Sequence, residues 1–374
     1  MKKYFALLLT MLFLGCSGGS DKPDPQPTDE GKDRSVMLKA LAENIIIPSY
    51  DQFKIKFDLM SEKSKAFTAK PDAQTLGEFR SAWAGAYVAW ERVELFDFGP
   101  GEKQTVRNFF NIYPASETAI AANIADPASS LEVPASYATQ GFPALDYLLN
   151  GIGADDAAIL AHYTTDKDAA KKLAYITRVI ARMESLLGKV MGEWKGDYLN
   201  TFISKTGLDI GSSTSLMVNA TVLHYERYIR SGKFGIPSGA MASGIPAPEK
   251  VEAFYKKDIS KTLAQTAHKA YVDFFNGRYA VTGEAGPGLK TYLDALGAKD
   301  SSTGKLLSES INAQFQAAAA RLDALKPNLY EEVKTNNQVM KDTYSEMQKA
   351  VRMLKVDMTS AMSITITYTD NDGD

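Results

Sequence analysis

The spacing of the apolar residues restricts this chain to helices more strongly than any other feature of its sequence does. From Val36 onward, large apolar side chains recur at intervals of three and four, as they do along one face of an α-helix. The clearest stripes run through residues 76–90, 173–194, 307–325 and 333–358. Strand-like alternation is confined to residues 364–368. The pattern therefore predicts an all-α protein built from bundles of antiparallel helices.

The predicted helices fall into two groups. The first group covers residues 34–66, 74–97, 143–150, 168–195 and 213–230. The second group covers residues 249–276, 288–296, 303–325 and 328–362. Gly and Pro residues between the groups interrupt both helical patterns. We predict an N-terminal helical domain over 34–231, a linker over 232–248 and a C-terminal helical bundle over 249–374. Two such bundles are compatible with a distant duplication, although the sequence contains no clear repeat.

The first residues have the features of a lipoprotein leader. Two lysines precede an apolar run over residues 4–14, which is too short to span a bilayer and is typical of a secretory signal peptide. Cys16 follows Gly15 as in a bacterial lipobox, although Phe13 stands where Leu is usual. We predict a signal peptide over 1–15, a lipid on Cys16 that anchors the protein to the membrane, and a flexible Gly/Pro/Asp-rich tether over 16–33.

Charge and ligand counts exclude several classes of function. The 42 Lys and Arg residues are balanced by 45 Asp and Glu, so the chain has no basic surplus for binding nucleic acid. A single cysteine excludes a disulfide framework and a cysteine-based zinc site, and three histidines leave little for a histidine-rich one. The sequence has no H-E-x-x-H, G-x-S-x-G or Walker A motif. The acidic end over 370–374 lacks the spacing of a calcium loop.

Glu94 is a charged residue at a position where an apolar one is expected. It continues the stripe that ends at Trp90, so we expect it to be buried, and a buried carboxylate needs a partner. It would either form a structural ion pair or bind a ligand. The candidate partners for an ion pair are Arg80, Arg92 and Arg107. Glu91 lies about 100° around the helix from Trp90, so we expect it to be solvated.

Asp146 and Arg227 are two further candidates. Asp146 is the only charged residue in 142–149, and it lies in the first turn of a predicted helix, where the helix dipole favours a carboxylate. It either stabilises that turn or shares an interior site with Glu94. Arg227 extends an apolar stripe near a helix C-terminus, where it either stabilises the dipole or contacts a ligand. The nearby His224 and Glu226 are two residues apart and cannot share one helix face, which argues against a local metal pair.

Several short motifs, taken in order, resemble the imelysin family, the peptidase M75 or insulin-cleaving membrane protease group. They are Trp90–Pro100 (WERVELFDFGP), Asn111–Pro114 (NIYP) and Lys233–Pro237 (KFGIP). The end of the chain, over 354–374, is similar to that of lipoprotein members from Bacteroidetes. The resemblance implies two helical-bundle domains, outer-membrane attachment and a role linked to iron uptake.

The family signature G-x-H-x-x-E, whose His and Glu are regarded as metal ligands, is altered here. Its positions hold Gly141, Pro143 and Asp146, so a proline replaces the histidine and a shorter acid replaces the glutamate. The resemblance leaves Glu94 and Asp146 as candidate ligands of iron or another divalent cation. Asn111 is a further candidate ligand-binding residue, and no catalytic residue is identified.

Three functions are open. We favour a non-enzymatic outer-membrane lipoprotein that binds iron, haem or another ligand of iron uptake. An M75-type metallopeptidase needs a metal with an open coordination position, which is hard to assemble without the signature histidine. A degenerate family member could instead act as a scaffold for protein partners. The expected partners are the membrane, through Cys16, and iron-uptake components, with the protein on the periplasmic side or at the cell surface.

Overall fold

The computed structural model describes residues 32–241 and 244–369. This part of the chain is all-helical, as the apolar spacing predicts, and it forms no β-strand. Two isolated bridges pair Arg278 with Ala285 and Lys299 with Leu306. The prediction of an all-α fold is thus confirmed.

The described part of the N-terminal half contains eleven α-helices. They are α1 (Arg34–Leu41), α2 (Ile47–Ala69), α3 (Ala73–Trp90), α4 (Pro100–Lys103), α5 (Val106–Phe110), α6 (Glu117–Ala125), α7 (Gly141–Asp146), α8 (Asp156–Thr164), α9 (Ala169–Lys195), α10 (Asp197–Ser204) and α11 (Ser213–Leu223). A π-helical segment, Ala42–Ile46, joins α1 to α2. The rings of Phe53, Trp90 and Phe142 contact one another in the core of this half. Their burial supplies much of the apolar contact that holds α2, α3 and α7 together.

The C-terminal half begins where α11 continues as a twelve-residue π-helix, His224–Gly235. The helices that follow are α12 (Ser260–Phe275), α13 (Leu289–Ala295), α14 (Leu307–Asp323), α15 (Leu329–Arg352) and α16 (Thr359–Ala361). A further π-helical segment, Met353–Met358, joins α15 to α16. Tyr225, on the π-helix, packs against Tyr271 and Phe315. The π-helix therefore contributes a side chain to the core of the second half.

Two predicted helices end or begin elsewhere than expected. The first was expected to reach residue 97, but α3 ends at Trp90 and residues 91–95 form turns. The second was expected to begin at residue 249, but α12 begins at Ser260. Ala253 and Lys257 have φ angles of 53° and 64°, which a right-handed helix does not accommodate.

Residues 364–368 form no strand despite their alternating pattern. The side-chain amide of Asn219 donates to the carbonyl oxygen of Thr365 and accepts from the N–H of Thr367. One amide side chain thus pairs with this segment as a neighbouring strand would.

Within the described residues, no helix has both the length and the apolar character to cross a membrane. The predicted signal peptide, Cys16 and the acidic end over 370–374 lie outside these residues. The division into two domains with a linker over 232–248 stays a prediction, as does a distant duplication. The last residue of the predicted tether, Asp33, caps α1 by accepting from the N–H of Ser35.

Candidate functional site

A group of polar and charged side chains is buried where the end of α3, the π-helix and the loop before α12 meet. We call this group the buried charge cluster. Its members are Glu91, Glu94, Asn111, His224, Lys233 and Glu252. None of them is more than 6% exposed. Burying this many ionisable groups costs free energy unless their charges and hydrogen bonds are matched, so their contacts define what the site can do.

The π-helix brings His224 and Lys233 into the same cluster. In an α-helix, residues nine apart lie on opposite faces, because each residue turns the chain by about 100°. A π-helix has i→i+5 hydrogen bonds and roughly four and a half residues per turn, so nine residues complete about two turns. The wider helix therefore places both side chains on one face.

Lys233 supplies the positive charge of the cluster. Its Nζ lies 2.9 Å from Oε2 of Glu91 and forms a second ion pair with Oε2 of Glu252. Burial alone would lower the pKa of Lys233, but the charges of Glu252 and Glu91 raise it well above its ordinary value. The side chain is therefore a fixed ammonium ion between two carboxylates.

Glu94 is buried as predicted, but its partner is a histidine and not an arginine. Its Oε1 accepts from Nδ2 of Asn111 at 3.0 Å, and its Oε2 lies 3.2 Å from Nε2 of His224. Burial would raise the pKa of Glu94, but the hydrogen bond from His224 and the charges of Lys233 and Arg107 lower it to about 2. Arg107 itself pairs with Asp97.

His224 is neutral in this arrangement. Burial lowers its pKa despite the opposing effect of Glu94, and its Nδ1 is buried without a hydrogen-bond partner. An imidazolium would leave a buried N–H unpaired at that atom, which is costly. The proton of the neutral ring is therefore assigned to Nε2, which donates to Glu94.

Glu91 was expected to be solvated, and this expectation was wrong. The residue is fully buried, because α3 ends at Trp90 and the helical rotation no longer sets its direction. Burial and the charge of Glu252 raise the pKa of Glu91 well above its ordinary value. This carboxyl group therefore takes up a proton at a higher pH than an exposed glutamate does.

Asn111 links the two halves of the molecule. Its Nδ2 donates to Glu94 and also to Oε1 of Glu252 at 2.9 Å, while its Oδ1 accepts from the hydroxyl of Tyr87 at 2.5 Å. Glu252 belongs to the segment after the π-helix, so this amide connects it to α3. These contacts place Asn111 within the buried charge cluster, and its role in binding a ligand stays a prediction.

Asp146 has hydrogen-bond partners outside the buried charge cluster. Its two oxygens accept from the backbone N–H groups of Tyr255 and Lys256, each at 2.9 Å, and from Nδ2 of Asn150. Burial raises its pKa to about 7 against the effect of these hydrogen bonds. The residue ends α7 and does not cap its first turn, so that proposed role was wrong. It holds the loop before α12, and its carboxylate shares no hydrogen-bond partner with Glu94.

The other signature positions have structural roles. Gly141 has a φ of 76°, and a Cβ atom there would lie 2.3 Å from the carbonyl oxygen of Phe110. Only glycine fits this turn. Pro143 is buried in α7 and has no side-chain atom that could bind a metal.

The contacts do not fit a metal ion at the signature position. In the described part of the chain, no group of three or more His, Cys, Asp or Glu residues is arranged to hold one. Glu94 and Asp146 have separate partners, and the ammonium of Lys233 already forms ion pairs with the carboxylates of Glu91 and Glu252. A divalent cation among those carboxylates would be repelled by Lys233. The residues of this site therefore do not fit a resident metal ion.

A surface cleft of about 510 Å³ adjoins the cluster. Arg107 and Asp97, which form an ion pair at 2.9 Å, lie in its wall. The guanidinium of Arg107 lies 3.5 Å from the ring centroid of Tyr228, and that ring stacks on His224. The side chains of Arg107 and Tyr228 thus connect the wall of the cleft with His224 of the cluster.

Arg227, a predicted ligand residue, donates to the carbonyl oxygen of Thr369.

Comparisons with known proteins agree with this fold. Residues 46–356 match the model of a family described as imelysin, peptidase M75. An imelysin-like protein from Psychrobacter arcticum superposes with a TM-score of 0.68 at 17% identity, over 90% of this chain and 98% of that chain. A protein described as an iron-regulated protein A precursor, from Parabacteroides distasonis, superposes with a TM-score of 0.70 at 14% identity, over 92% and 97%. At these identities, the two likenesses show the fold alone.

A curated relative is similar in part of its sequence. Iron-regulated protein A of Synechococcus elongatus is 22% identical over 151 residues, which are 40% of this chain and 41% of that protein. The match thus spans about two fifths of the relative's length.

Proposed function

This chain belongs to the imelysin family, and from that premise we propose that it is a non-enzymatic lipoprotein of the cell envelope that serves as a binding component in iron or haem uptake. The link to iron rests on the relatives that are described as iron-regulated protein A. The link to the envelope rests on the lipobox-like sequence that ends at Cys16.

One observation carries the non-enzymatic part of the proposal. A buried ammonium, that of Lys233, lies between Glu91 and Glu252. A metallopeptidase needs a Lewis-acidic metal with an open position and a general base nearby. Here the positive charge is a side chain of the protein itself, and a lysine ammonium has no coordination position to offer a substrate. This donor set therefore favours a stable internal ion network over hydrolysis.

The binding surface that we favour is the cleft beside Arg107. It is open to solvent, and Arg107 and Asp97 provide both signs of charge at its wall. Asn219 and Tyr368 also line it. A polar, mixed-charge cleft suits an organic or protein ligand with charged groups better than a bare metal ion, for which clustered acidic or imidazole ligands are needed.

The test separates the enzymatic from the non-enzymatic role. The purified chain is incubated with insulin B chain in the presence and absence of a chelator, and the peptide is analysed by mass spectrometry. We expect the peptide to remain intact under both conditions. Cleavage that the chelator abolishes would establish a metallopeptidase and overturn the proposal.

A second measurement tests the link to iron uptake. A strain without this gene is grown under iron limitation and in iron-replete medium, with either the wild-type gene or a Cys16→Ala variant restored. We expect a growth defect under iron limitation only, which the wild-type gene corrects and the Cys16→Ala variant does not. Equal growth of all strains under iron limitation would count against an uptake role.

A further inference from the structure

A loop between α10 and α11 exposes two aliphatic side chains. Leu208 is 68% exposed and Ile210 is 63% exposed, within the turn-forming segment 205–212. Single exposed apolar residues are common on soluble proteins, so exposure alone has little meaning. The exposure of Leu208 and Ile210 matters because of where this loop lies in the fold.

The loop is fixed to the point where the chain enters the folded domain. The guanidinium of Arg34, the first residue of α1, donates from Nη1 to the carbonyl oxygen of Gly207 at 2.7 Å. The same group donates to the carbonyl oxygen of Met362 and the hydroxyl of Tyr292, and Arg34 is only 7% exposed. The loop therefore cannot move far from the start of α1. Val36, which is 40% exposed, adds a third apolar side chain on the first turn of that helix.

The sequence before Arg34 leads back to the predicted lipid anchor. Residues 17–33 separate Cys16 from Arg34. A chain of this length spans at most about 60 Å when fully extended. If Cys16 carries a lipid, the start of α1 stays close to the bilayer. The loop beside it is then present at a high effective concentration at the membrane surface.

The charges of the loop favour an apolar contact over an electrostatic one. Lys205 precedes the two aliphatic residues, and Asp209 lies between them. These charges cancel, so the loop has no net attraction for anionic headgroups. Two adjacent aliphatic side chains give too little apolar area for stable binding on their own, but a lipid-tethered domain needs only a weak second contact.

We propose that Leu208 and Ile210, together with Val36, contact the bilayer surface and orient the domain with the start of α1 toward the membrane. This inference rests on the proposed lipidation of Cys16. It adds a second membrane contact to the anchor and predicts which face of the domain points away from the bilayer.

The test uses the full lipidated protein with one added cysteine. Leu208→Cys is compared with Ile55→Cys, because Ile55 is 66% exposed and lies on α2. It is 21 residues from Arg34 along nearly continuous helix, which corresponds to about 30 Å. Each variant is labelled with an environment-sensitive fluorophore and reconstituted into neutral phosphatidylcholine vesicles that contain a lipid-borne quencher. We expect a blue-shifted emission and quenching at position 208, neither of them at position 55, and no dependence on salt.

The intact mass of the same samples separates the two proposals. A protein without acyl chains would contradict the lipoprotein proposal, and the proposed orientation would be overturned with it. An acylated protein whose label at position 208 behaves like the label at position 55 would overturn the loop contact alone. Quenching at both positions would show that the protein lies on the membrane without this orientation, and would also overturn the inference.

Discussion

Glu94 and Asp146 are both buried carboxylates near the ends of helices, yet their surroundings are opposite in kind. Glu94 accepts hydrogen bonds from side chains, those of Asn111 and His224, and nearby positive charges keep its pKa at about 2. Asp146 accepts mainly from backbone N–H groups, and burial raises its pKa to about 7. The first belongs to a network of side chains, and the second fixes the path of a loop. Burial alone therefore does not distinguish a carboxylate in a side-chain network from one that fixes a loop; the source of its hydrogen bonds does.

The largest expected effect comes from Lys233→Met, which removes the positive charge on which the network around Glu94 depends. Two carboxylates would remain buried without their cation, which costs about 3–5 kcal/mol in free energy of unfolding at pH 8. The deficit should be smaller at pH 5, because Glu91, whose pKa is already raised, then takes up a proton. Urea unfolding at both pH values measures this.

The control for that variant is Lys54→Met. Lys54 forms an exposed ion pair with Asp58, and such pairs contribute about 0–1 kcal/mol. If the two lysine variants lose equal stability, or if the deficit of the Lys233 variant relative to the wild type is no smaller at pH 5 than at pH 8, the description of the cluster is wrong.

The next effect in size is that of Glu94→Gln. The amide keeps the shape of the side chain but removes the charge that accepts from His224 and Asn111, so we expect a loss of about 2 kcal/mol at pH 7. The pKa of His224 should fall further, because the neighbouring negative charge is gone. Histidine NMR titration measures that pKa, and a rise in the variant would contradict the assignment.

Asp146→Asn should have a smaller effect, of about 1 kcal/mol, that stays local to the loop. An amide supplies one acceptor oxygen where two are used, so either Tyr255 or Lys256 loses its partner. We expect faster amide hydrogen exchange in residues 253–257 and unchanged exchange near Glu94. Faster exchange at both places would show that the two carboxylates belong to one unit.

The pH dependence of the free energy of unfolding also distinguishes Asp146 from Glu94, and its sign can be predicted. The pKa of Asp146 is higher in the folded protein, about 7, than its ordinary value of 3.8, so the folded state binds more protons between these pH values. Its contribution therefore makes the protein more stable at low pH and is lost as the pH rises through 7, by at most about 1.4 kcal/mol per pH unit. The Asp146→Asn variant should lack this part of the dependence of stability on pH. Unfolding curves from pH 5 to 8 measure it, and identical slopes would refute it.

The smallest expected effect is that of metal removal. A tightly bound metal would stabilise the folded state in proportion to the logarithm of its concentration over its dissociation constant. Because the ammonium of Lys233 already lies between the carboxylates of Glu91 and Glu252, we expect EDTA or added Fe²⁺ to change the melting temperature by less than about 1 °C. A larger, saturable shift that Glu94→Gln abolishes would show that Glu94 is a metal ligand.

The helical fold and the burial of Glu94 could be predicted from the sequence, because both depend on the periodicity of apolar residues. The roles of Glu91, Lys233 and Glu252 could not. Glu91 is buried because α3 stops one residue earlier, and Glu252 lies in a segment that the sequence pattern assigns to a helix. Lys233 lies in the KFGIP motif, which the family resemblance marked without indicating its contacts. Long-range pairing of charges has no local sequence signal.

The π-helix also has a consequence for how this site can change during evolution. A π-helical turn holds more residues than an α-helical turn, because its hydrogen bonds run from i to i+5 and not from i to i+4. Deleting one residue from 224–235 would favour a return to α-helical winding and turn Lys233 away from His224 and its carboxylate partners. Relatives that differ by one residue in this helix can therefore present different charges to the same cavity, even when every other position is retained. Gaps in an alignment of this segment are thus as informative as substitutions.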